Sequence, residues 1–321
     1  MANNNQLLVY SSSPHVKGKR TTRWIMANVC IALLPASIAG VVLFGLNALF
    51  ILLISVASAV LSEVVYLLIA KKTIKQIIKQ FDFTSVVTGL LVGMCIGVNY
   101  PLYAPVFGSM FAIIVVKMLF GGTGKNLVNP AIVGRIFIFM SFQAVVGSWV
   151  APGNVVTGAT ALSGIFQGNV NVNLWELFSG VNMAGCIGET CKIALLIGFI
   201  YLCALKIIDF KYPLIYIAVT GLFTVCLNGF NFNYFLPSIL SGGLILGAFF
   251  MATDYTTSPN TTLGNVIYFV MLGLLTAGLR QATQMEVVSF VILLMNLLVP
   301  LIDKFVMQKP FGYVKSRKGG K

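Results

Sequence analysis

Apolar residues run along this chain in long blocks broken by Gly, Pro and charged clusters, not in the narrow stripes of a surface helix. The blocks cover 24–42, 46–70, 84–98, 103–120, 131–147, 190–208, 213–228, 236–252, 263–279 and 285–303. A spanning helix needs about 20 mostly apolar residues, so the pattern predicts an all-α polytopic membrane protein with about ten transmembrane helices. Within it, SVVTGLLVG (Ser85–Gly93) and SILSGGLILG (Ser238–Gly247) share Ser-x-x-[Ser/Thr]-Gly and begin 153 residues apart, near half the chain length. Five helices per half is an odd number, so a second copy would be inverted in the bilayer. The sequence therefore divides into a tail (1–23), a first five-helix repeat (24–147), a connection (148–189), a second five-helix repeat (190–303) and a basic tail (304–321). Inverted repeats with interrupted helices often place a binding site between the halves.

Composition agrees. Of 321 residues, 58% are hydrophobic and only 9% charged, against roughly 25% charged in a soluble domain. That excludes a disordered chain and an ordinary soluble enzyme. Eight acids face twenty-one bases, and such an excess can signal nucleic acid. Here seventeen of the bases sit in the tails and the connections after even-numbered blocks: 17–23, 71–79, Lys125, Lys206 and Lys211, and 304–321. This is the positive-inside pattern. It places both termini of a multi-pass membrane chain in the cytoplasm and implies no nucleic-acid partner. Residues 1–23 hold no apolar core of a secretion signal. Six cysteines without C-x-x-C spacing read as small buried thiols, and one histidine, His15 in the tail, gives no metal site.

The connection 148–189 is about 42 residues long, carries two acids and no base, and falls on the outer face by parity. Connections beyond about 15 residues are usually functional or disordered, and Trp149, Phe166, Trp175 and Phe178 suggest that this one lies against the membrane interface. Inside it VVTGATALS (Val155–Ser163) presents two threonine hydroxyls, Thr157 and Thr160, in a turn of small residues. On composition alone that is a polar turn. On the opposite face, FGGTGKNLVNPAIVGR (Phe120–Arg135) joins blocks four and five. Its glycines 121, 122 and 124 permit unusual backbone angles, Asn126 and Asn129 offer amide donors and acceptors, and Pro130 suits a first helical turn. Spacing alone reads it as a glycine-rich turn with helix-capping asparagines. No Ser or Thr follows Lys125, so it is not a Walker phosphate loop.

SSPHVKGKRTTRWIM, GGTGKNLVNPA and TGATALS occur in this order over essentially the whole chain. In that respect the sequence resembles the D subunit of the Rnf electron-transport complex and its relative, the B subunit of the sodium-translocating NADH:quinone oxidoreductase. The latter carries a longer N-terminal extension, so the resemblance is greater to the Rnf protein. It implies a membrane flavoprotein subunit of a ferredoxin:NAD+ oxidoreductase that couples electron transfer to Na+ or H+ translocation. FMN would be joined through its phosphate to Thr160, the last residue of the Thr157–Gly158–Ala159–Thr160 element, with Thr157 as the fallback acceptor. An aspartate is common three residues before that element; here it is Asn154. The resemblance also implies a noncovalent riboflavin near the Gly/Asn segment, with Asn126 and Asn129 as contacts. It further implies partner subunits carrying iron–sulfur clusters and another flavin, ferredoxin and NAD reached through them, and a flavin transferase. No catalytic acid, base or nucleophile is required of this chain, because the flavin does the electron chemistry. The different-class alternative is a flavin-free secondary transporter or channel with inverted repeats, which has no need of the outer Thr-Gly-Ala-Thr element.

Ionisable groups inside a membrane are functional-site hypotheses by default. Glu63 in the second block has the strongest claim, to ion coupling or to pairing with Arg135. Lys117 is expected to snorkel to the cytoplasmic surface, and Asp254 to cap a turn.

Overall fold

A computed structural model describes residues 20–142, 149–151, 157–158, 161–166, 173–181 and 183–306. Four helices are long and apolar enough to cross a membrane: α1 (Thr22–Phe44), α2 (Leu46–Ile69), α13 (Thr262–Thr283) and α14 (Val288–Phe305). Two further candidate spans are bent helix pairs, each a broken span or a re-entrant loop: α3 (Ile74–Gln80) bends by 68° into α4 (Thr84–Met94), and α11 (Phe235–Leu240) lies in a segment bent by 67° from α12 (Leu244–Leu246) and the π-helical turn Gly247–Met251. Shorter apolar helices complete the set: α5 (Ala104–Phe111, running into a π-helical stretch Ala112–Met118), α6 (Pro130–Ser141), α9 (Lys192–Ala204) and α10 (Lys211–Leu227). Each of the ten apolar blocks thus holds a helical element, and the two Ser-x-x-[Ser/Thr]-Gly segments both fall in the bent pairs. Only four to six of these elements meet the length of a full span. At 1.5 Å per residue, α6 and α9 run for roughly 20 Å, well short of the roughly 30 Å hydrocarbon core.

The connection beyond α6 carries little regular structure among the described residues. Trp149–Val150 (β1) pairs antiparallel with Thr157–Gly158 (β2), and two short helices follow, α7 (Ala161–Phe166) and α8 (Leu174–Ser179). The interface reading of its aromatics divides. Trp175 is exposed, whereas Trp149 turns inward against Gly97.

Connections of even and odd parity gather at opposite ends. Arg20 donates to the Lys206 carbonyl at 3.2 Å, and Asp303 accepts from the Asn260 backbone and side-chain amides at 3.1 and 3.0 Å. The first and last described helices therefore end beside even connections; we call this the tail end. Residues 149–190 mark the loop end.

Helices in an apolar solvent gain nothing from hydrophobic exclusion, so they associate through close packing of small residues. Gly198 of α9 packs so tightly on α1 that an added Cβ would run into the Ala32 carbonyl oxygen. Ser55 of α2 donates to the Gly89 carbonyl of α4 at 2.6 Å, and a Cβ on Gly89 would lie 2.8 Å from Ser55 O. Gly278 of α13 has only Phe223 nearby, at 3.9 Å. Gly198→Ala is expected to destabilise by about 1–3 kcal/mol or more through overpacking, measured as a lower Tm in detergent. Gly278→Ala should leave the Tm unchanged or slightly raised.

Candidate functional site

At the tail end the Gly/Asn segment folds as its composition requires. Gly121, Gly122 and Gly124 have φ of 107°, 91° and 87°, angles that only glycine adopts cheaply. Asn129 caps α6, its side-chain oxygen accepting from Ala131 N at 3.0 Å, with Pro130 in the first turn. Its amide nitrogen donates to Met251 O at 3.2 Å. Asn129 is thus committed to structure. Asn126 is not: its Oδ1 is buried and has no hydrogen-bond partner among the described residues. Both asparagines line a cavity of about 90 Å³ with Thr84, Lys117, Asp254 and Tyr255 over an apolar floor of Leu91, Leu202 and Phe250. Asp254 caps a turn as expected, accepting from the Thr256 amide and hydroxyl at 3.3 and 2.9 Å. Burial pushes its carboxyl above the usual range, and the hydrogen bonds from Thr256 and Thr257 oppose that rise.

Beside this cavity lies an ion-pair network that corrects two expectations. Lys117 does not snorkel. It is 1% exposed and its Nζ donates to Glu63 Oε1 at 2.8 Å and Thr84 Oγ1 at 2.5 Å, with Asp82 Oδ1 at 3.9 Å. Glu63 therefore pairs with Lys117, not with Arg135. The pairing follows from α2 packing against the π-helical turn that carries the lysine, and the break between α3 and α4 adds Asp82 and Thr84 to it. Such π turns are frequent at functional positions. Asp82 also accepts from Thr84 N at 3.1 Å and from Thr123 Oγ1 at 2.7 Å, tying the Gly/Asn segment to the break.

Arg135 belongs to the loop end. It lines a second cavity, of about 250 Å³, together with Cys95, Tyr100, Phe139, Trp149, Leu162, Ser163, Glu189, Lys192, Glu286 and Phe290. Within electrostatic reach of its guanidinium are Glu189, Glu286 and the thiols of Cys95 and Cys186. Burial holds the Cys186 thiol well above its usual value; it stays protonated and donates to Cys95 O at 3.1 Å. All six cysteines are free, but the expectation of buried thiols holds only for Cys95 and Cys186; Cys30, Cys191 and Cys203 are half-buried and Cys226 is exposed.

The same region holds residues that sequence reasoning missed. Arg280 lies in α13 at 2% exposure and binds Glu286 at 2.8 Å, Ser238 O at 3.0 Å and Ser241 O at 3.4 Å. Lys192 is also buried, and its Nζ donates to the Glu189 carbonyl. The signal was present in the sequence: Lys192, at the start of block 190–208, and Arg280, just past block 263–279, are the two bases on the odd side, against the one-sided trend.

Of the Thr157–Thr160 element, Thr157 and Gly158 form β2, and Val150 and Trp149 are their register partners. Ala159 and Thr160 lie outside the described residues. Leu162 and Ser163, just beyond them, line the loop-end cavity.

Among known proteins, a model of the NQR2, RnfD, RnfE family matches residues 9–312. The D subunit of the Na(+)-translocating ferredoxin:NAD(+) oxidoreductase complex of Acetobacterium woodii is 39% identical over 98% of both chains. The D subunit of the proton-translocating ferredoxin:NAD(+) oxidoreductase complex of Clostridium ljungdahlii is 36% identical over 95% of this chain and 96% of its own. The D subunit of the ion-translocating oxidoreductase complex of Stutzerimonas stutzeri is 32% identical over 90% and 91%.

Removing one partner of a buried ion pair costs roughly 3–5 kcal/mol, because the other charge is left uncompensated. Lys117→Met is therefore expected to lower the Tm in detergent strongly. The double variant Glu63→Gln/Lys117→Met should recover much of that loss, whereas Arg135→Met on a Glu63→Gln background should recover nothing.

Proposed function

The chain belongs to the NQR2, RnfD, RnfE family, and from that membership we propose that it is the D subunit of an Rnf-type complex, carrying electrons between ferredoxin and NAD+ while Na+ or H+ is translocated. In this reading it is a ten-crossing chain of two inverted five-helix repeats in the cytoplasmic membrane. The tail end faces the cytoplasm, where seventeen of the twenty-one bases lie, and the loop end faces outward. Iron–sulfur and flavin subunits surround it, and a flavin transferase loads it.

Thr160 is the covalent acceptor: its hydroxyl oxygen forms the ester bond to the FMN phosphate. The observation that carries this is positional. The Thr-Gly-Ala-Thr element begins in β2, opposite Val150 and Trp149, and runs into α7, whose Leu162 and Ser163 line a cavity walled by Trp149, Phe139 and Phe290. A chain that follows the element reaches a chamber suited to a flat aromatic ring. Bound FMN would supply the electron chemistry; the protein's part is to hold it there and keep it from being lost.

At the tail end the residues suit an unphosphorylated flavin. The one cation lining that cavity among the described residues, Lys117, is already held by Glu63, Thr84 and Asp82, so it is not available to a phosphate. Asn126, with its unpartnered buried oxygen, is the group that would meet the ring edge of riboflavin. The cavity is about 90 Å³, so admitting the ring requires the 120–129 or 252–256 connection to move.

The test is a denaturing gel of the full chain produced with a flavin transferase. The wild-type band is expected to fluoresce as a flavoprotein, Thr160→Ala to be dark, and Thr157→Ala to stay fluorescent. A dark wild-type band sinks the covalent-flavin reading, and a fluorescent Thr160→Ala band sinks the choice of acceptor.

A further inference from the structure

The loop-end cavity has a polar edge that is chemically unusual. Glu189 is 6% exposed; its Oε1 accepts from Cys186 N at 3.1 Å, and its Oε2 is buried with no hydrogen-bond partner among the described residues. Leaving a buried carboxylate oxygen unpaired is expensive. Next to it stands Arg135, which takes part in none of the ion pairs within 4.0 Å found among the described residues. The two converge on Gly243: a Cβ built there would lie 2.7 Å from Glu189 Oε2 and 3.3 Å from an Arg135 terminal nitrogen. A lone acceptor and a strong donor thus sit side by side on one wall, while Trp149, Phe139 and Phe290 supply apolar surface on others.

That pattern discriminates between ligands. A simple anion would meet Glu189 and Glu286, and a simple cation would meet Arg135 and Lys192. A flat aromatic ring with an imide edge satisfies both sides, because its N–H needs an acceptor and its flanking carbonyls need donors. The flavin ring has such an edge. Thr160 is two residues from Leu162, so at most about 7 Å of extended chain separates it from the cavity wall, and Gly158 pairs with Trp149 on the other flank.

We propose that the isoalloxazine of the flavin tethered at Thr160 seats in this cavity, with Glu189 accepting from its imide N–H and Arg135 facing its carbonyl and N1 edge, as positioning residues that set its potential in opposite senses. The proposal rests on the covalent-flavin reading above. Reduction adds negative charge to the N1–C2 carbonyl edge, which a fixed cation favours and a fixed anion opposes; charge near that edge is one of the means by which a protein tunes a flavin.

The test uses the full chain made with a flavin transferase. In-gel fluorescence first reports whether the tether is present, and a redox titration of flavin absorbance, taken as the difference from Thr160→Ala, then reports the midpoint potential. Arg135→Gln is expected to shift the midpoint downward and Glu189→Gln upward, both with fluorescent bands. Arg135→Lys, which keeps the charge, should stay nearer to wild type than Arg135→Gln. Unchanged midpoints in fluorescent Arg135→Gln and Glu189→Gln variants, or shifts of the same sign in both, overturn the proposal; if Arg135→Gln does not fold, the sign of the Glu189→Gln shift decides it, upward supporting and unchanged or downward overturning. A dark wild-type band instead removes the tether itself, and this proposal falls with it.

Discussion

Burying a cation inside an apolar helical bundle is the constraint around which this protein is organised. Such a charge is tolerated only when it is paired and its remaining donors are used. Lys117 and Arg280 are both paired beside a bent segment, although Arg280 Nε finds no hydrogen-bond partner among the described residues. At the first break the exposed start of α4 is capped by Asp82, and Lys117 binds the nearby Glu63 and Thr84. At the second, Arg280 binds the carbonyls of Ser238 and Ser241 at the end of α11 and is neutralised by Glu286. Acids favour helix starts and bases favour helix ends, so each break is closed by the sign of charge it prefers. Backbone freed from its helical bonds is permitted at membrane depth only where protein or a cavity satisfies it. Breaks, buried ions and cavities therefore arise together.

The two ends then differ in what remains unsatisfied. At the tail end two oxygens are left over, Glu63 Oε2 behind its ion pair with Lys117 and the amide oxygen of Asn126 beside the Asp254 turn. At the loop end a carboxylate oxygen of Glu189 is left over beside a guanidinium. The first suits a neutral ligand that makes one or two amide contacts. The second suits a ligand whose polar edge alternates between donor and acceptor. Chemical selectivity here follows from which buried groups the fold leaves open, not from any nucleophile or metal cluster; among the described residues no group of His, Cys, Asp and Glu side chains suits a metal.

Much of this was legible in the residues. Ten apolar blocks each became helical elements, Asn129 and Pro130 began α6, the glycines of 121–124 took left-handed angles, and Asp254 closed a turn. These are local facts, fixed by neighbours within a few positions. What failed was long-range. Glu63 and Lys117 are 54 residues apart, and nothing in helical spacing distinguishes Lys117 from Arg135 as the partner; the packing of α2 against the π-helical stretch that carries Lys117 does. Lys117 near a helix end reads as a snorkelling base until α2 and α4 are seen to enclose it. The base distribution did hold the missing clue. The four bases outside the cytoplasmic tally are Lys117, Arg135, Lys192 and Arg280, and all four line a cavity or pair with an acid that does.

The repeated Ser-x-x-[Ser/Thr]-Gly segment shows how similar sequence leads to different chemistry. Both lie in segments bent by nearly the same angle, 68° and 67°, but the first sits inside α4 just past its break at 81–83, while the second contains its break at 241–243. What occupies the space beside the glycine differs. Next to Gly89 is the backbone of α2, at 2.8 Å from where a Cβ would be, so this glycine closes a helix–helix contact. Gly242 has φ of +66°, and a Cβ there would collide with the Glu286 carboxylate. Its missing side chain makes room for a charge. The first copy therefore yields a tight seam, with the ion pair held at its far margin by Lys117. The second yields an opening into which Arg280, Glu286 and, one residue on at Gly243, Arg135 and Glu189 all project. A charged chamber at one end and a close-packed seam at the other follow from what each glycine is asked to admit.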